Sequence, residues 1–110
     1  MSQSANATFE GENGSYDFDV YNIDTEFNDI GAVYIFTKRV VDFNGKGKHT
    51  FIYIGQTDSL KDRIPNHEKL NCVIRNGGNC ICIHRDDDKN SRIAKETDLR
   101  AGNNTPCNDQ

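Results

Sequence analysis

Hydrophobic residues concentrate in two stretches of this chain. GAVYIFTKRVV at 31–41 and KHTFIYIG at 48–55 are rich in β-branched and aromatic residues, and DFNGKG lies in the gap. That gap contains Asn44-Gly45, a dipeptide suited to a tight turn, so the pattern predicts an antiparallel hairpin. Upstream, Tyr16, Phe18 and Val20 alternate with polar residues and allow a short peripheral strand. Downstream, QTDS supplies candidate caps at Thr57 and Asp58 for a helix running through Arg63. Pro65 would remove a backbone hydrogen bond and crowd the preceding turn, which predicts a kink or a fresh helical start there. The helical pattern fades toward Gly77-Gly78, and NCICIH at 79–84 reads as a third, buried strand. SRIAKETDLRAG reads as a last helix with Ile93, Ala94, Thr97 and Ala101 on its buried face and Gly102 as its stop. The expected fold is a small α+β (α/β) domain, a three-stranded antiparallel sheet flanked by helices.

Length and charge refine this picture. The 110 residues suffice for one modest core. Residues 1–30 hold Glu10, Glu12, Asp17, Asp19, Asp24, Glu26 and Asp29 with no lysine or arginine, a charge of -7. Residues 31–110 hold all 13 basic residues against 10 acidic ones, giving +3. The division expected is an acidic segment at 1–30, disordered over 1–14, and a mildly basic domain at 31–110. The acidic segment is either a solvated tail or an arm lying on the basic face in competition with nucleic acid. No apolar run reaches membrane-spanning length and the first residues lack a basic and apolar signal, so a soluble, cytoplasmic protein is expected. Cys72, Cys80, Cys82 and Cys107 lack paired C-x-x-C spacing, and reduced thiols are expected. A zinc site from Cys80, Cys82, His84 and Cys107 is the weaker alternative, because ligands at i and i+2 on a strand form a flat row.

The chemistry-bearing residues have a definite order. Ala32-Val33-Tyr34 lies on the first strand and Tyr53-Ile54-Gly55 on the second. Arg63 follows eight residues after Gly55, and His67 four later. Glu96 lies on the last helix and Asn108 in a Pro-x-Asn ending. In this order the chain resembles the GIY-YIG nuclease domain over residues 31–108, and IPNHEKLNC and TPCN are similar to small bacterial stand-alone members of that family. It departs in having Ala32 where glycine is usual, with Gly31 just before it. The DFNGKGKH insertion also lengthens the hairpin, and no DNA-recognition domain is appended.

The resemblance implies a metal-dependent endonuclease acting on DNA, alone or with a targeting partner protein. Tyr34 would be the base or the group that positions water, with Tyr53 beside it. Arg63 would bind phosphate with its planar fork. His67 would accept or relay a proton, or hold Tyr34. Glu96 would be the only protein carboxylate on a Mg2+ or Mn2+ ion. Asn108 would brace the site or touch phosphate, while Gly55 and Lys61 would contact substrate. The set forms a site only if the last helix and the C-terminal segment fold back over the hairpin. Taken singly, the tyrosines read as core aromatics, Arg63 as a solvated helix residue, His67, His49 and His84 as ordinary hydrogen-bonded histidines, and Glu96 as part of an ion network with Arg92 and Arg100. The alternative to an enzyme is a non-catalytic nucleic-acid-binding or interaction module on the same fold. Whether DNA or RNA is the substrate, and whether the protein dimerises, stay open at this level.

Overall fold

The computed structural model describes residues 5–108. Strands β1 (Ala5–Glu10), β2 (Ser15–Asn22), β3 (Ala32–Val41), β4 (Gly47–Thr57) and β5 (Cys80–Arg85) form one sheet in the order β1-β2-β5-β3-β4. Every neighbouring pair is antiparallel. Helices α1 (Leu60–Arg63), α2 (Leu70–Arg75) and α3 (Lys89–Gly102) complete the fold.

The α+β class agrees with the sequence, but the sheet has five strands where three were expected. The difference lies in the acidic segment. β2 is the peripheral strand that Tyr16, Phe18 and Val20 suggested, and it pairs with β5 from Asp19 opposite Ile83 to Asn22 opposite Cys80. Phe18 and Val20 are buried there, which gives the alternation its physical basis. β1 occupies part of the stretch expected to be disordered, pairing with β2 from Ala5 opposite Val20 to Glu10 opposite Ser15. Residues 5–22 are therefore strands of the sheet and neither a solvated tail nor an arm over a basic face. The disorder expected for residues 1–4 lies outside the described residues.

The hairpin forms as predicted. The Asp42 carboxylate accepts the N–H groups of Asn44 at 2.9 Å and Lys46 at 3.0 Å. Gly45 takes a positive φ of 83°, a conformation that glycine reaches without a Cβ penalty. Farther along, the register shifts by one residue: Phe36 faces Tyr53, but Thr37 faces Phe51. Ile52 is the extra residue of this bulge, so Ile52 and Tyr53 both pack on the same side of the sheet while Phe51 and Ile54 pack on the other.

The core has two halves, one on each face. Tyr34, Phe36, Ile52 and Ile81 meet Leu60 and Ile64 at α1 and Val73 of α2. Val33, Ile35, Ile54 and Cys82 meet Leu99 of α3 on the opposite face. α1 is capped by Ser59, whose hydroxyl accepts the Asp62 N–H at 3.3 Å, in place of Thr57 or Asp58. It stops before Pro65, and the chain restarts as α2 only at Leu70.

α3 buries a different face from the one expected. Arg92 and Leu99 are buried, whereas Ile93 is 40% exposed and Ala94, Thr97 and Ala101 face solvent. Two polar anchors fix this rotation. Arg92 binds Gln56 on β4, and the Asp98 carboxylate accepts from Tyr16, Asn13 and Gly14 at the β1–β2 turn.

Cys72 and Cys107 form a disulfide across 35 positions, contrary to the expectation of reduced thiols. The C-terminal segment follows the free edge of β4, with Cys107 N–H donating to the Ile52 carbonyl at 3.0 Å, and this delivers Cys107 to α2. Cys80 and Cys82 are buried free thiols, as expected, and burial pushes Cys82 up to about 12. Among the described residues, no helix is long and apolar enough to cross a membrane.

Candidate functional site

Tyr34 and Tyr53 lie on the face covered by α1 and α2, and Gly55 between their rings makes the approach possible. A Cβ on Gly55 would stand 2.6 Å from the Tyr34 hydroxyl and 2.8 Å from a Tyr53 ring carbon. The tyrosine rings are near-parallel with centroids 6.1 Å apart. His67 comes from the turn between α1 and α2 and stands edge-on to Tyr53, with centroids 4.7 Å apart. Its Nε2 is 2.8 Å from the Tyr34 hydroxyl.

The state of His67 follows from its other nitrogen. Nδ1 accepts the backbone N–H of Lys69 at 3.1 Å, so the neutral ring carries its proton on Nε2. Nε2–H then donates to the Tyr34 oxygen. Burial, and then the nearby Arg63 charge, lower His67 to about 4, which keeps it neutral near pH 7. Of the roles considered from sequence, this geometry suits holding Tyr34 rather than taking its proton.

The Arg63 guanidinium lies close enough for its charge to act on the Tyr34 oxygen. Burial raises Tyr34 well above the ordinary tyrosine value and Tyr53 adds to the rise, while Arg63 works the other way. The hydroxyl is therefore protonated in the resting protein, with the His67 Nε2–H aimed at the oxygen that would carry charge and the Arg63 charge nearby. Arg63 is not free. Its Nη1 and Nη2 donate to the two Glu68 oxygens at 2.6 and 3.1 Å, a bidentate pair. Glu68 is 64% exposed in its side chain, and Arg63 first and foremost pulls its carboxyl down to about 2. Glu68 was not singled out from sequence; the available signal was its place beside His67, five positions after Arg63.

Asn108 lies on the adjoining sheet edge. Its side-chain amide accepts the Ile54 N–H and donates to the Ile54 carbonyl, both at 2.9 Å, completing β4 as a neighbouring strand would. The C-terminal segment does fold back on the hairpin, and Asn108 acts there as a brace.

The remaining residues lie elsewhere. Lys61 is exposed on α1 and lines a separate cavity of about 410 Å³ with Ile23, Phe27 and Pro65. Glu96 is half-buried on α3, whose Leu99 packs on the sheet face opposite Tyr34. Burial raises its carboxyl and Arg100 opposes that rise; Arg92, expected in the same ion network, turns to Gln56 instead. Among the described residues, no group of three or more His, Cys, Asp or Glu converges as a metal site. Cys107 is bonded to Cys72, so it is not a fourth ligand beside Cys80, Cys82 and His84. His84 instead bonds the Asp17 carbonyl and Lys95, and His49 bonds Thr37. A lone carboxylate such as Glu96 still fits Mg2+ or Mn2+ as one oxygen donor, because these ions keep several waters.

Compared with protein-family models, curated proteins and solved structures, the chain matches none.

Proposed function

We propose that this protein is a GIY-YIG-type endonuclease that hydrolyses phosphodiester bonds of nucleic acid, DNA in the first instance. The observation that supports it most is the hydrogen bond between His67 Nε2 and the Tyr34 oxygen, with the Arg63 charge acting on the same oxygen. A donor on the phenolic oxygen together with a neighbouring guanidinium charge is suited to stabilising a phenolate. Tyr34 first releases its proton to solvent; the phenolate then accepts the proton of the attacking water, the leaving oxygen takes a proton from solvent, and His67 keeps the phenolate oriented while remaining neutral. Arg63 supplies charge to the phosphate once its fork leaves Glu68. Tyr53 packs beside Tyr34 and holds its ring. Mg2+ or Mn2+ would supply positive charge against the phosphate oxygens; Glu96, the carboxylate that the resemblance assigns to it, stands on α3 across the sheet from Tyr34, so this role is the part of the proposal with the least geometric support. Cytoplasmic location and a targeting partner belong to the same proposal. The disulfide is more at home in an oxidising compartment, so the redox state of Cys72 in cells tests the location.

The test is nicking of supercoiled plasmid with magnesium or manganese by the wild type, Arg63→Ala and Glu96→Ala. Nicking that requires the metal and disappears in both variants supports the proposal. No nicking, or equal nicking by all three, would leave a nucleic-acid-binding or interaction module on this fold.

A further inference from the structure

Arg92 is 4% exposed, yet among the described residues no carboxylate stands within ion-pair distance of it. Its partners are neutral. Nε donates to the Gln56 side-chain oxygen at 3.0 Å and Nη1 to the Asp86 carbonyl at 3.1 Å. The Asp86 carboxylate is turned to Lys95 and Ser91. Nη2 takes part in neither bond, and Arg92 lines a cavity at this end of the sheet. That cavity is about 290 Å³ and is bounded by Gln56, Thr57, Asp58, Lys89 and Arg92. Burying a guanidinium without a counter-charge is unfavourable, and an anion reaching it would offset that cost. Space has also been kept for it: a Cβ on Gly31 would stand 2.7 Å from Arg92 Nη1 and 3.0 Å from the Asp86 carbonyl.

We propose that this cavity binds a backbone phosphate of nucleic acid flanking the one presented to Tyr34. The proposal rests on the nuclease reading above. Arg92 and Lys89 outweigh the single exposed carboxylate of Asp58 on the rim, and Gln56 and Thr57 offer further polar atoms. The position also fits. Gln56 and Thr57 directly follow Gly55, which abuts the Tyr34 hydroxyl, but the Gln56 side chain turns to Arg92 of α3, so the cavity lies at the same end of β4 on the α3 side of the sheet. A strand passing over that end of the sheet would meet Tyr34 with one phosphate and the cavity with another a few steps along.

The test is a titration of the full-length 15N-labelled protein with a short DNA duplex in EDTA, followed by NMR. Saturable shifts of Arg92 Nε–H and of the Gln56, Thr57 and Lys89 amides are expected together with shifts around Tyr34 and Arg63. Arg92→Ala risks misfolding, so the variant is Lys89→Glu, an exposed first-turn position where a negative charge favours the helix. It should weaken duplex binding about five- to tenfold and reduce the slope of log affinity against log salt by about one. Shifts around Tyr34 alone, with unchanged affinity in Lys89→Glu, would overturn the flanking site and leave the nuclease reading standing. Shifts at the cavity alone would keep the phosphate site and remove the Tyr34 reading. A duplex that moves neither set removes both, and inorganic phosphate moving the cavity resonances when the duplex does not would make it a free-anion site and overturn the proposal.

Discussion

Arg63 and Arg92 both serve the end of the sheet where Gly55 meets Tyr34, one from the α1 side and the other from the α3 side. Arg63 is partly exposed and is answered by the Glu68 carboxylate through both oxygens. Arg92 is buried and is answered only by an amide and a carbonyl. The difference shows two ways to store a positive charge. On the rim, an exposed carboxylate neutralises the guanidinium. Inside, fixed dipoles hold the guanidinium in place and leave its charge available. In the proposed reading the Tyr34 face exchanges partners to bind phosphate, while the α3 face is set in advance.

The largest effect separating the two faces should come from the disulfide. Cys72 and Cys107 tie the C-terminal segment to α2 on the Tyr34 face. Replacing both with serine should lower stability by about 4 kcal/mol in the loop-entropy account for a closure of this length. Hydrogen exchange should then accelerate in α2 and the β4 edge more than in α3, and a uniform increase would break the distinction.

Acid should act next, and again on the Tyr34 face. His67 binds its proton at about 4 in the folded protein against 6.5 ordinarily. Between those values the unfolded chain holds a proton that the folded one refuses, so stability present above about pH 6.5 is lost as pH falls toward 4. The loss is on the order of 3 kcal/mol, and His67→Gln should remove that slope from urea titrations across this window. A slope unchanged in the variant would assign it to other groups.

On the α3 face, Gly31→Ala should cost about 1–3 kcal/mol, because the new methyl presses on Arg92 and a backbone carbonyl together. Thermal melting would read this, with the Arg92 Nε–H resonance moving and the His67–Tyr34 signals unchanged. The smallest effect is expected from Glu68→Gln, which frees the Arg63 fork without touching Arg92. Duplex affinity should rise a few-fold, and no rise would mean that Glu68 does not compete with phosphate.

The hairpin, β5 and α3 were legible because each announces itself locally, through β-branched runs, Asn44-Gly45 and a stretch bounded by caps. β1 was not. In ANATFE the inward positions include Ala5 and Ala7, too small to stand out, and their burial depends on β2 and α3 being in place. The face of α3 was misread for a related reason. Hydrophobicity favours burying Ile93 over Arg92, and the Gln56 oxygen that makes the arginine acceptable lies 36 residues away. The disulfide was equally remote. For the candidate site, Tyr34, Tyr53, Arg63 and His67 were named from their order and do meet, because two strands and the turn after α1 bring them together. Glu68 and the Lys69 N–H, which set the states of Arg63 and His67, carried no pattern of their own.

The central claim is that the Tyr34 oxygen performs chemistry and is not merely a buried hydroxyl. Single-turnover plasmid cleavage by Tyr34→Phe, beside wild type at equal duplex occupancy and with magnesium or manganese, tests it directly. The account predicts a fall of about 10²–10⁴-fold with binding preserved, the range for loss of a general base. Cleavage within a few-fold of wild type would contradict it and leave Tyr34 a core residue.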